Sequence, residues 1–180
     1  MVLKLRIVPD PVLRKMADPV KAVDREVSRF MHEMLETMYK SAGVGLAAPQ
    51  VGELKRVIVV DVAEEQNAAQ AFMMADPEIT WRSEELFTYR EGCLSIPGQY
   101  AEVTRPKRIR LHYTDVNNKR IEMEAEDLLS TCIQHEIDHL NSVLFVDYVS
   151  KLKRDMMLKR VEKSQRMATE DEQKLGGKSL

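Results

Sequence analysis

Residues 126–141 read Glu-Asp-Leu-Leu-Ser-Thr-Cys-Ile-Gln-His-Glu-Ile-Asp-His-Leu-Asn. We read the whole run as one helix, and it contains the H-E-x-x-H sequence His135-Glu136-Ile137-Asp138-His139. At ~100° per residue His135 and His139 lie about 40° apart, one turn apart on one face. Two imidazoles so placed can share one metal ion. Glu136 sits about 100° round, within reach of a metal-bound water as general base. A plain amphipathic helix could hold two histidines by chance. Against that, the chain has only 4 histidines and two fall here. Glu136 would also be a charge flanked by apolar Ile133, Ile137 and Leu140, where unpaired polar groups are costly.

Two ligands do not complete a catalytic site, which generally takes three plus water. The candidates for the third are Cys132, Cys93 and a carboxylate further on, such as Glu162. Cys132 shares the histidine face, but the ion should lie near the level of residue 137, about 7 Å along the axis at ~1.5 Å per residue. A cysteine points back toward the helix N-terminus and is too short to cover that distance, so Cys132 should line the site. Cys93 ends a predicted strand in Glu91-Gly92-Cys93-Leu94-Ser95, where Gly92 permits close backbone approach. The third histidine of the metzincins has no counterpart in Leu140–Phe145.

Outward from this helix, residues 24–42 form a second amphipathic pattern. Val27, Phe30, Met31, Met34, Leu35 and Met38 share one face, with Asp24 as N-cap and Gly43 as stop. Gly43-Val44-Gly45-Leu46-Ala47-Ala48-Pro49-Gln50 is small and nearly uncharged. Arg56–Val62 reads as a buried, β-branched strand. Residues 63–71 read as loop, and strand patterns follow near 72–74, 83–91, 100–104, 107–113 and 119–125, with a turn at Asn117-Asn118. A third helix is expected over about 150–167. Strands in the middle with helices at either end favour an α+β fold. We expect one catalytic domain over 1–167 and a flexible tail over 168–180.

Composition narrows the function. With 27 Lys and Arg against 29 Asp and Glu, the net charge of −2 argues against a surface built wholly for nucleic acid. We expect neither DNA nor membrane as partner, since the strongly apolar run Val57–Val60 is far short of the ~20 residues of a span. Lys4, Arg6 and Pro9 do not suit a signal peptide, which leads us to expect a cytoplasmic protein. Two cysteines, Cys93 and Cys132, are too few for a disulfide framework.

Three segments in order, residues 43–50, 91–95 and 134–139, resemble peptide deformylase, and the likeness runs from the N-terminus to about residue 160. The resemblance implies mixed and antiparallel sheets around the metal-bearing helix. It implies removal of the formyl group from the formyl-methionine of nascent chains, with release of formate. It makes Cys93, His135 and His139 ligands of one divalent metal, natively Fe²⁺, with Zn²⁺, Ni²⁺ or Co²⁺ able to replace it. Glu136 is then the general base and acid, with Gln50 and the Leu94 N–H facing the formyl oxygen. Val44, Tyr89, Leu128 and Cys132 are candidates for the methionine pocket, with Gly45, Glu91 and Tyr100 also on the substrate side. We also expect Glu91 to pair with Arg105. Many members carry Arg where this sequence has Tyr100, a hydroxyl without a fixed charge. Asp76 and Ser142 stand where Asn and Gly are usual. The basic helix after residue 150 (Lys151, Lys153, Arg154, Lys159, Arg160, Lys163, Arg166) suits docking on ribosomal RNA.

Overall fold

The computed structural model describes residues 1–66 and 70–176, with side chains through residue 170. Helix α1 spans Arg25–Lys40. Asp24 caps it by accepting a 2.9 Å hydrogen bond from the Val27 N–H. At its other end Ala42 takes the left-handed conformation, and Gly43 donates back to the Met38 carbonyl at 3.0 Å. The strands are β1 Gly45–Ala47, β2 Val57–Val60, β3 Phe72–Arg82, β4 Leu86–Cys93, β5 Ile96–Pro106, β6 Arg108–Thr114 and β7 Arg120–Glu126. Helix α2 spans Asp127–Leu140 and α3 spans Lys151–Gly176.

A five-stranded sheet runs in the order β1-β2-β3-β6-β7, and β4-β5 form a separate hairpin. All strand pairs are antiparallel, and the parallel component is an isolated bridge between Asp18 and Lys55. The fold is α+β, as the element order suggests.

The continuous β-branched run of β2 has a simple cause, because both of its faces are covered. Val57 and Val59 face Met31, Met34, Leu35 and Met38 of α1. Ile58 and Val60 face Ile133, Ile137 and Leu140 of α2. The sheet is thus sandwiched between α1 and α2, and the methionine stripe of α1 is core filling. A third cluster joins Ile96 and Val103 of β5 to Phe145, to Val146 and to Met157 and Val161 of α3. The hairpin therefore leans on α3, while α2 also touches β4 and β5.

Among the boundaries that differ from the sequence reading are those of β1, β3 and α3. β1 carries no strand signal of its own, because its three residues lack polar alternation; pairing with Ile58–Val60 of β2 makes it a strand. β3 continues well past residue 74 through a bulge after Ala75. There Asp76 adopts φ +49 and accepts the Val20 and Lys21 N–H groups at 2.8 and 2.9 Å. Two donors converge on two oxygens, which accounts for Asp where an amide offers only one acceptor. α3 runs on as helix past the expected end near residue 167, through 176; residues 177–180, like 67–69 of the expected loop, lie outside the described residues. Ser142, at φ +61, closes α2 in a Schellman turn with Val143 donating to the Asp138 carbonyl at 2.9 Å.

Candidate active site

Cys93 ends β4 beside the histidine face of α2, so a hairpin and a helix distant in sequence supply one cluster. Donor atoms of Cys93, His135 and His139 all lie within 4.8 Å of one another. Cys93 Sγ is 3.3 Å from His139 Nε2. One thiol and two imidazoles this close suit a single ion with ordinary bonds of roughly 2.0–2.3 Å. This donor set suits a divalent ion, and Glu136, whose buried Oε2 has no hydrogen-bond partner among the described residues, lines the same cavity as Cys93 and His135.

His135 is oriented from behind. Its Nδ1 is 2.9 Å from Glu91 Oε2. Arg105 grips the same carboxylate, Nε to Oε1 at 2.6 Å and Nη2 to Oε2 at 3.0 Å, and reaches Asp138 Oδ2 at 2.8 Å. Tyr148 also donates to that Asp138 oxygen at 2.8 Å, beneath the Arg105 guanidinium. The expected Glu91–Arg105 pair is present, but it belongs to a longer chain that ends on the imidazole. With both oxygens so engaged, Glu91 supports His135 and offers little to a substrate.

Electrostatics follow burial and neighbours. Burial pushes the Glu136 carboxyl up to about 7. It likewise raises the Cys132 thiol, which keeps that side chain protonated. Burial and the neighbouring His135 hold His139 well below the usual imidazole range. For His135 burial acts downward, but its bonds to Cys93 and Glu91 outweigh it and raise the group. For Glu91 burial acts upward, and the bonds from His135 and Arg105 bring it below the usual carboxylate range.

A cavity of about 400 Å³ opens onto this cluster. Val44, Gly45, Gln50, Tyr89, Glu91, Cys93, Leu94, Tyr100, Leu128, Cys132, His135 and Glu136 all line it. His139 lies behind them against Cys93. Val44, Tyr89 and Tyr100 are exposed, while Cys132 is buried. A Cβ on Gly45 would strike Glu136 and sit 2.7 Å from Cys132 Sγ, so the β1 backbone is laid directly on the base. Gln50 is fixed by the Ala47 N–H on its carbonyl at 2.8 Å, which turns its amide nitrogen toward Ser95 Oγ at 3.2 Å and Cys93 Sγ at 3.4 Å. Glu162 is elsewhere, in a second cavity between α3 and the segment 8–14.

Sequence reasoning missed Thr131 and Arg90, which also line the cavity, and the Asp138–Tyr148 extension. Thr131 precedes His135 by one helical turn, the spacing that picked out Leu128 and Cys132. Asp138 is one of the motif's two variable positions, three residues after His135. Arg90 carried no signal, since an exposed arginine on a strand is ordinary.

A family model described as polypeptide deformylase matches residues 2–155. The chain is 52% identical over 160 residues to the peptide deformylase of Rhizobium meliloti (strain 1021), covering 89% of this chain and 92% of that one. A crystal structure of peptide deformylase from Ehrlichia chaffeensis superposes with a TM-score of 0.89 at 37% identity, covering 94% of this chain and 99% of the other. A second from that organism, in complex with actinonin, gives 0.87 at 39% identity, covering 92% and 98%.

Proposed function

This chain belongs to the polypeptide deformylase family, and on that premise we propose how its own residues carry out the reaction. It removes the formyl group hydrolytically from the formyl-methionine of nascent polypeptides and releases formate. The supporting observation is one arrangement: a buried carboxylate oxygen of Glu136, unpartnered among the described residues, in a cavity that it lines with Cys93 and His135, with His139 behind them.

Cys93, His135 and His139 would hold a divalent ion, which when bound supplies Lewis acidity toward water and the formyl oxygen. Fe²⁺ is the ion we assign, and a thiolate–imidazole set also takes Zn²⁺, Ni²⁺ or Co²⁺. Glu136 accepts a proton from the attacking water as the new carbon–oxygen bond forms. It then gives that proton to the amine nitrogen as the carbon–nitrogen bond breaks, so the carboxylate returns unchanged. The Gln50 amide and the Leu94 N–H stabilise the oxygen on which negative charge develops, one such donor being worth about 2.7–4 kcal/mol. Val44, Tyr89, Leu128 and Cys132 receive the methionine side chain, and Gly45 leaves room for the backbone.

Glu136→Gln tests the assignment. Formate release from formyl-Met-Ala-Ser falls by at least about 10²–10⁴-fold while bound metal stays at the wild-type level. Activity within tenfold of wild type would remove Glu136 from the role.

We place the reaction in the cytoplasm, at the ribosome, with the basic face of α3 on ribosomal RNA. Deleting residues 151–180 should abolish a salt-sensitive co-sedimentation with ribosomes; unaltered co-sedimentation would reject the docking.

A further inference from the structure

Where the peptide chain leaves the cavity, the hairpin carries a built feature with no part in the chemistry above. Tyr100 lies opposite Gly92 in the β4–β5 register. Its ring packs on that glycine so closely that a Cβ there would fall 2.6 Å from Tyr100 Cε1. The Arg90 guanidinium covers the ring, 4.9 Å from its centroid. Backbone, ring and guanidinium form a stack, and both side chains line the cavity. Glu102 is the register partner of Arg90, yet the guanidinium lies on the ring instead. Among the described residues no carboxylate forms an ion pair with Arg90. The other arginine of this hairpin, Arg105, is neutralised inside the molecule by Glu91 and Asp138.

We propose that Arg90, positioned by Tyr100, is a specificity-determining residue that selects peptides bearing a carboxylate in the residues directly following the formyl-methionine. The inference rests on the deformylase reading. The formyl end is committed to the cavity floor at Glu136, so the following residues pass the exposed mouth where Val44, Tyr89 and Tyr100 stand. A guanidinium held on a ring has lost much of its rotamer freedom before a ligand arrives. It presents parallel N–H donors that match a carboxylate. The interaction is solvent-exposed, so it is modest and screened by salt.

The test compares isosteric peptides with amidated C-termini, which removes the competing terminal carboxylate. Formyl-Met-Asp-Ala-amide is set against formyl-Met-Asn-Ala-amide, and formyl-Met-Ala-Asp-amide against formyl-Met-Ala-Asn-amide, with metal-loaded full-length protein. We expect kcat/KM about three- to fivefold higher for Asp than Asn in at least one pair at low salt, expressed in KM and fading by about 0.5 M NaCl. Arg90→Gln brings the ratio to one and Arg90→Glu inverts it. Tyr100→Phe keeps the ratio and Tyr100→Leu lowers it. Each ratio is taken within one variant, so partial loss of folded protein leaves it unmoved. A wild-type ratio of one in both pairs, or a ratio that survives Arg90→Gln, overturns the subsite while leaving deformylation intact. Failure to release formate from any of the four peptides overturns the deformylase reading itself.

Discussion

Glu91 carries more of the site than its place beside a glycine suggests. It is 4% exposed, and its charge is tolerated because Arg105 meets it bidentately and His135 shares its Oε2. The carboxylate fixes which imidazole nitrogen faces Cys93 and His139. Replacing it leaves the ring free to turn and Arg105 with Asp138 as its remaining carboxylate. Glu91→Ala should therefore weaken metal retention by about 10–100-fold in dialysis against a chelator, the usual size of a lost ligand-orienting partner. Glu91→Gln, which still accepts a hydrogen bond, should recover part of it. Equal metal retention in wild type and Glu91→Ala would show that His135 needs no such support.

At the scale of elements, the helix that carries His135 and His139 is braced by the short turn Phe145–Tyr148 on its C-terminal side. This turn places Phe145 against the His135 ring, with centroids 6.0 Å apart. Asp147 secures it by accepting the Leu144 N–H at 3.0 Å and the two Arg14 nitrogens at 2.6 and 3.0 Å. Burial acts to raise the Asp147 carboxyl, but these bonds outweigh it and hold the group below its ordinary value of 3.8. A depressed carboxylate stabilises the fold above its unfolded pKa, and that contribution is lost as pH falls through the folded value. Wild type should then exceed Asp147→Asn by about 1 kcal/mol in urea denaturation at about pH 7, a size set by one cap bond and a partly exposed ion pair. The gap should hold down to about pH 5 and close only below about pH 4. A gap that closes between about pH 5 and 7 would contradict the assignment.

For the molecule as a whole, what was legible in the sequence is what repeats along one element. The 3.6-residue stripes of α1 and α2 and the β-branched run of β2 show in one dimension, and each occupies the place its pattern implies. The three-residue β1 did not show, because its strand character comes entirely from its neighbour β2. The joining of β4 to α2 is likewise a tertiary fact. Spacing set Cys132 aside as a lining residue but left Cys93 and Glu162 open as third ligand, and only the resemblance chose between them. In three dimensions the hairpin brings Cys93 to the histidines, while the packing of α3 carries Glu162 to another cavity. Thr131 was within reach of the helical spacing, whereas Arg90 depended on a cross-strand stack that no local pattern announces. The reaction assigned to this assembly is hydrolysis of a formyl amide, whose carbonyl carbon bears only a hydrogen. Its most direct test is an anaerobic assay of iron-loaded protein with formyl-Met-Ala-Ser and, in parallel, acetyl-Met-Ala-Ser, tracking formate, acetate and free amine. We predict formate and amine in equal amounts from the first peptide and no product from the second. Comparable release of acetate, or cleavage of an internal peptide bond in place of the formyl group, would contradict it.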